Sequence, residues 1–388
     1  MTIRRGVSLY SYQQAQFFKE LLLEDQLREV AENLPGADGI ETIDELSFPY
    51  PDPDAAFVRQ WHQWMERYAT VPVALDVSMD VLQFRDHVMS YDECADRLRH
   101  DLQLAHTLGF RIVRCISVVP LEVMLAALPL AESLDIRLGK EIHQPMPLDG
   151  GQVEEIVAFV DRTGTRHLGI VPDFGILQFR PSEVLLDWFQ RRGAKPEACE
   201  ASVALALLIR NGAAPFPLPE MAYRTAGNLR SDLTRWLRTG ECEPELLPLF
   251  SSVKAFAEAQ VPDPSELDHT VVAEALMLSG TRPEHLQELA PYVVHAHGKF
   301  YNMTAVPGAP GDYDDISIDY EGGIGALVRG GFDGYVNSEY EGQRYFQDRT
   351  RAELADEVEQ VRRHQAMLRR LLDRPTEAGV APAAGGDR

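Results

Sequence analysis

The chain has 388 residues, 45% of them hydrophobic, and a formal net charge of −23. It is long enough to bury a large core, and its charge argues against a nucleic-acid partner, because polyanion sites need clustered Lys and Arg to displace counterions. Cys94, Cys115, Cys199 and Cys242 form no Cys-x-x-Cys pair, the N-terminus lacks an apolar signal core and no run of 18 apolar residues occurs, so the expectation is a reduced, cytoplasmic protein that does not span a membrane.

Short apolar runs alternate with amphipathic stretches along the chain. In order they are 6–12, 39–43, 71–78, 111–116, 137–143, 168–173, 292–299 and 334–340. Eight β-α units predict a (β/α)8 barrel, whose chemistry lies at the carboxyl ends of the strands. Capping-box patterns at Ser90-x-x-Glu93, ahead of a helix reaching Leu108, and at Thr350-x-x-Glu353, ahead of the last helix, support the alternation. Trp61 and Trp64, at helical spacing with Phe57, are expected in the core, and the cysteines are expected to behave as small buried hydrophobes.

More than a hundred residues separate Asp173 from Tyr292. Segments 184–189, 203–208, 229–237, 246–257 and 271–278 predict helices there, so 181–290 is read as a helical insertion. It leaves the end of strand six and is expected on the catalytic face, as a lid or a partner surface. The barrel domain is expected over 1–372, and the Ala/Gly/Pro tail, 373–388, is expected to be disordered.

Four late strand ends carry metal-type ligands: Glu141, Asp173, His297 and Glu339. Three carboxylates and an imidazole suit a borderline-hard divalent ion, most simply Mn²⁺, with Mg²⁺ or Co²⁺ as alternatives. His143 follows Glu141 at the next inward position and is a candidate general base. Tyr10, Glu41, Asp76, Arg114 and Lys299 end or flank strands and are candidate substrate-binding residues. His295 shares the face of His297 and is a substrate-binding or alternative metal-binding candidate.

The stretches Gly6-Val-Ser-Leu-Tyr-Ser-Tyr12, Asp38-Gly-Ile-Glu41, His297-Gly-Lys299, Ile318-Asp-Tyr-Glu-Gly-Gly323 and Gly331-Phe-Asp-Gly-Tyr-Val-Asn-Ser-Glu-Tyr-Glu341 resemble the xylose-isomerase-like sugar isomerase and epimerase superfamily. The resemblance implies metal binding by Glu339 and, by the same match, by Glu141, Asp173 and His297. Many epimerases place a His three residues after the strand-six aspartate, whereas Ile176 stands here. Tyr10-Ser-Tyr-Gln13, Trp61-x-x-Trp64-Met-Glu66, Leu138-Gly-Lys-Glu-Ile-His143 and Pro172-Asp-Phe-Gly-Ile176 resemble instead the α-subunit of C-glycoside deglycosidases. That branch implies a carbon–carbon lyase acting on 3-oxo-C-glycosides, often with a small β-subunit. In it His143 takes a proton beside a carbonyl and Glu141 and Glu339 hold the metal at the reacting centre. Two alternatives stay open: a metal-dependent isomerase or epimerase working through an enediolate, and a sugar-binding barrel without catalysis.

Overall fold

The computed structural model describes residues 2–49, 52–217, 228–278 and 280–373. The expected tail, apart from Asp373, lies outside them. Eight parallel strands form the barrel: β1 (Arg4–Ser8), β2 (Ala37–Ile43), β3 (Val71–Val77), β4 (Ile112–Cys115), β5 (Arg137–Ile142), β6 (Leu168–Pro172), β7 (Ala296–Phe300) and β8 (Tyr335–Tyr340). Ladders run from β6 through β1 to β8 and β7, and the bridges Ile170–Val293 and Asp173–His297 join β6 to β7. The chain passes so close there that a Cβ on Gly169 would lie 2.4 Å from the Tyr292 carbonyl oxygen.

Alternating helices cover the barrel, among them α1 (Leu23–Asn33), α2 (Ala55–Tyr68), α3 (Tyr91–Leu108), α4 (Leu121–Ser133) and α5 (Gly151–Thr163). Ser90 and Glu93 cap α3 reciprocally, and Gly109 ends it at φ +86°. Trp61 is fully buried and its indole N–H donates to the Leu108 carbonyl at 2.9 Å, while Trp64 packs against the same core partly buried. Among the described residues no helix is long and apolar enough to cross a membrane.

Two expected boundaries are displaced. The apolar run 6–12 is not all strand: β1 stops at Ser8 and Leu9–Tyr12 is a 3-10 turn. Ser11 pins that turn to β8, its hydroxyl donating to the Ser338 carbonyl at 3.1 Å and accepting from Tyr340 N–H at 2.9 Å. Apolar content alone does not separate a buried turn from a strand. The Thr350/Glu353 box caps only a 3-10 turn, because Leu354 is extended, and the last helix begins after Asp356.

Between β6 and β7 lie α6 (Glu183–Arg191), α7 (Pro196–Arg210), α8 (Asn228–Thr239), α9 (Leu247–Gln260), α10 (Glu266–Ala273) and α11 (Pro283–Leu289). Leu205, Leu233, Leu246, Phe250 and Val253 build a separate apolar cluster there, with Trp236 packed against it. Val184 of α6 and Leu286 of α11 pack instead into the barrel core. The chain closes with α12 (Tyr320–Arg329) and α13 (Glu357–Leu372).

Glu357, the first residue of α13, accepts from Ala15 N–H at 2.7 Å and Gln14 N–H at 3.3 Å, and burial raises its carboxyl to about 7. A folded value above the ordinary 4.5 means that the folded state holds the extra proton, so this group's contribution to stability falls as pH rises from about 4.5 to about 7. Glu357→Gln, which stays neutral, should lose that part of the slope. Urea unfolding at pH 5 and pH 8 checks this, and an unchanged difference from wild type would contradict it.

Candidate active site

Parallel strands with period-two alternation turn one set of side chains inward at matched heights. Inside this barrel the set is charged. Glu41 comes from β2, Asp76 from β3, Arg114 from β4, Glu141 from β5, Asp173 from just past β6, His295 from just before β7, His297 and Lys299 from β7, and Glu339 from β8; all are buried. Lys299 stands in register with Glu339, and His297 with Asn337.

The deeper layer organises the upper one. Glu41 accepts from His295 Nε2 and Asn337 Nδ2, each at 2.9 Å, and from His297 Nε2. With Nε2 donating downward, His297 turns Nδ1 toward Glu339 Oε2 at 3.0 Å and Asp173 Oδ2 at 4.0 Å. A bare imidazole nitrogen and a carboxylate at that distance repel unless a proton or a cation lies between them. Arg114 spans the other wall, with Nε 2.8 Å from Asp76 Oδ1 and Nη1 2.5 Å from Glu141 Oε1. Burial alone would lower its pKa, but the facing carboxylates hold it well above the usual value.

Glu141, Asp173 and His297 offer ligand atoms within 4.8 Å of one another, and so do Glu41, His295 and His297. The first trio faces the barrel mouth beside Glu339. Asp173 Oδ2, His297 Nδ1 and Glu339 Oε2 are buried and make no well-aligned hydrogen bond, although Lys299 Nζ stands 2.8 Å from Asp173 and 3.1 Å from Glu339. Orphaned oxygens and one imidazole nitrogen fit a hard or borderline divalent ion. In the second trio Glu41 already accepts from three donors, His295, His297 and Asn337, which makes it a support that orients His297. Burial pushes the Glu339 carboxyl up, and the charges of His297 and Lys299 more than reverse this, leaving it well below the usual range.

His143 lies just beyond β5, half-buried. Its Nδ1 is 2.6 Å from the Gln144 carbonyl oxygen, which can only accept, so Nδ1 carries the proton and Nε2 the lone pair. Nε2 is 3.1 Å from Lys299 Nζ. The His143 side chain lines a cavity of about 150 Å³ together with Gln144, Leu185, Met277, Glu341 and Arg344.

Of the residues expected to touch substrate, Lys299 reaches the cluster and the Tyr10 hydroxyl lies 3.3 Å from Arg344 Nη2. Glu41, Asp76, Arg114 and His295 sit behind them, bonded to one another and to the cluster. Sequence reasoning passed over Glu341, whose Oε2 is 3.1 Å from Lys299 Nζ. Its signal was available, since the i, i+2 spacing of Glu339-Tyr-Glu341 sets a second glutamate just past the end of β8. Arg344, Gln144 and Glu274 carried no comparable signal, because loops and a distant helix bring them to the cavity.

No protein-family model matches the chain. It is 25% identical over 385 residues to a C-glycoside deglycosidase alpha subunit of Arthrobacter globiformis, covering 98% of this chain and 96% of that one. It is 26% identical over 380 residues to a 3'-dehydrocarminate deglycosidase alpha subunit of a Microbacterium species, covering 97% and 98%. Among solved structures, an L-ribulose 3-epimerase superposes with a TM-score of 0.50 at 12% identity, covering 96% of this chain and 95% of that one. The IOLI protein, solved with a bound zinc atom, gives 0.50 at 11% identity, covering 95% and 98%. The fold is the (β/α)8 barrel of these two solved structures, and the sequence is similar over nearly its whole length to the deglycosidase alpha subunits.

Lys299 is the permanent cation among Asp173, Glu339 and Glu341. Replacing it leaves buried carboxylates uncompensated, a change that costs about 3–5 kcal/mol. Lys299→Met should be destabilised by that order in metal-free urea unfolding, and added Mn²⁺ should restore more stability to it than to wild type. A metal-free variant as stable as wild type would contradict this placement of charge.

Proposed function

We propose that this chain is the catalytic subunit of a metal-dependent lyase that cleaves the carbon–carbon bond between a 3-oxo sugar and its aryl aglycone. The observation that carries the reading is the His143 imidazole, which lines the cavity and whose unprotonated Nε2 meets Lys299, the cation paired with Asp173 and Glu339 of the cluster of Glu141, Asp173, His297 and Glu339. The two deglycosidase alpha subunits, similar over nearly the whole chain, support the choice of substrate class. A divalent ion held by those four residues, Mn²⁺ in the first instance, would supply positive charge to the sugar oxygens next to the carbon that loses its proton.

His143 Nε2 then takes the proton from C2, beside the C3 carbonyl. The electron pair forms the C1–C2 double bond as the C1–aryl bond breaks, and the aryl carbon keeps that bond's pair until it is protonated by the His143 imidazolium or water. Lys299, 3.1 Å from His143 Nε2, gives up that contact as substrate enters and stays paired with the carboxylates it already touches, which frees the lone pair. An isomerase or epimerase would share the first step and return the proton to the sugar. The second reading is favoured only by that shared geometry.

A partner subunit belongs to the same proposal. Phe17, Leu22, Leu82, Phe84, Val88 and Val118 are exposed apolar side chains, all on segments that follow β1, β3 and β4 around the mouth. Apolar exposure gathered on one rim is what a partner chain would cover.

Incubating the Mn²⁺-loaded protein, with and without a deglycosidase β-subunit, on a 3-oxo-C-glycoside and on free ketoses tests the reading: release of the aglycone is expected, and turnover of ketoses alone would overturn it. His143→Ala should keep its metal and lose about 10²–10⁴ in turnover, the usual worth of a positioned base. Asp173→Ala should lose metal and activity together. A metal-free but otherwise folded His143→Ala protein would instead make His143 a ligand.

A further inference from the structure

His364, on α13, is fully buried against the outer face of the barrel and takes no part in the chemistry above. Its ring stacks on Phe300 of β7, with planes 3° apart and centroids at 4.1 Å, and lies so close to that strand that a Cβ on Gly298 would come within 2.9 Å of Cε1. Both nitrogens are engaged: Nδ1 is 2.7 Å from Ser338 Oγ of β8, and Nε2 is 2.7 Å from the hydroxyl of Tyr320, the first residue of α12. The two ends fix the direction of every bond between them. The Lys299 carbonyl oxygen, 2.5 Å from the Tyr320 hydroxyl, can only accept, so Tyr320 donates to it and accepts from His364 Nε2–H. At the other end Gln365 Nε2 donates to the Gly6 carbonyl at 2.7 Å and to Ser338 Oγ at 2.8 Å, while its Oε1 accepts from Arg5 Nη1 at 2.8 Å. Ser338 therefore gives its own hydrogen to His364 Nδ1, the bare nitrogen of an imidazole that burial holds neutral.

This chain of donors grips the two strands that carry the charged centre. Ser338 precedes Glu339 on β8, and the last bond ends on the Lys299 carbonyl of β7; Glu339 and Lys299 stand in register, with Oε2 and Nζ 3.1 Å apart inside the barrel. The end of β7 needs such a hold. Phe300 C=O accepts from Glu341 N–H on the β8 side, and successive strand carbonyls face opposite neighbours, so Lys299 C=O faces the seam with β6. There β6 ends at Pro172, and among the described residues the isolated bridges Ile170–Val293 and Asp173–His297 stand in place of a ladder. Tyr320, its ring 5.2 Å from that of Phe174 in the turn after β6, supplies the donor that a longer strand would have given. We infer that His364 and Tyr320 are positioning residues that fix the offset between β7 and β8, and through it hold Glu339 toward the cation and Lys299 against Asp173 and Glu339. For Glu339 the inference rests on the metal reading; for Lys299 it stands on the metal-free geometry.

Tyr320→Phe removes one oxygen and keeps its ring, and His364→Phe keeps a ring against Phe300 and loses both bonds. In calorimetric titration the folded variants should each bind Mn²⁺ at least about tenfold more weakly than wild type, the loss expected when the support behind a ligand goes. Tyr12→Phe, the same change at another fully buried tyrosine, should match wild type. A second measurement needs no metal. In urea unfolding of the metal-free protein, the fall in the folding equilibrium constant caused by Lys299→Met should be at least about threefold smaller in the Tyr320→Phe background than in the wild-type background, because Lys299 has already lost its hold there. A role in packing alone would lower stability and move neither readout. Mn²⁺ affinity within about twofold of wild type in both variants, or effects of Lys299→Met and Tyr320→Phe that simply add, would overturn the inference. Failure of the metal reading is distinguishable: wild type would then bind no Mn²⁺, and the metal-free cycle would still decide whether Tyr320 holds Lys299.

Discussion

The interior of this barrel must balance charge without water. Glu41, Asp76, Glu141, Asp173, Glu339 and Glu341 are buried, six carboxylates facing two permanent cations, Arg114 and Lys299. Arg344 reaches in only at the edge. Burying an unpaired carboxylate costs several kcal/mol, so the surplus demands protons or a multivalent cation. Arg114 against Asp76 and Glu141, and Lys299 against Asp173, Glu339 and Glu341, are one solution to that constraint. The remaining surplus lies around His297 Nδ1, where a divalent ion would remove it.

The same arrangement explains why the support residues are built as they are. Glu41 accepts from His295 and Asn337 at Oε2 and from His297 at Oε1, with Arg114 Nε a further 3.7 Å from Oε1. Its work is to fix the ring of His297 with Nδ1 toward the mouth. Gly175 N–H does the equivalent for Asp173, donating to Oδ1 at 2.7 Å and leaving Oδ2 for the centre. His297 and Asp173 are thus held from behind, so a bound cation would meet these two ligands already oriented.

The barrel was legible because its signal is repeated: eight apolar runs at similar spacing, each ending in polar residues, leave little else for a chain of this length to form. The inward carboxylates and histidines were legible for the same reason, since a strand end fixes both height and face. Layering was harder to read. Glu41, Asp76 and His295 look like mouth residues from their place in a strand, yet the stagger between strands puts them beneath Glu339 and Lys299, and stagger is a property of the sheet, not of one run. The cavity wall was least legible. Leu185 and Met277 read as ordinary helix residues, and the large apolar content of 181–290 suggested a surface waiting for cover. Most of it is consumed by a core of its own around Leu205, Leu233 and Phe250, although Leu207 and Leu247 stay exposed, and further exposed apolar side chains follow β1, β3 and β4.

The central claim is that the charge surplus around His297 Nδ1 is a divalent-cation site. Crystals of the protein equilibrated with Mn²⁺ and measured at the manganese absorption edge test it most directly. The account predicts one strong anomalous peak bonded to His297 Nδ1 and to carboxylate oxygens of Glu141, Asp173 and Glu339, with Glu41 still on His297 Nε2. A peak on the Glu41, His295 and His297 Nε2 side, or no peak at saturating Mn²⁺, would contradict it.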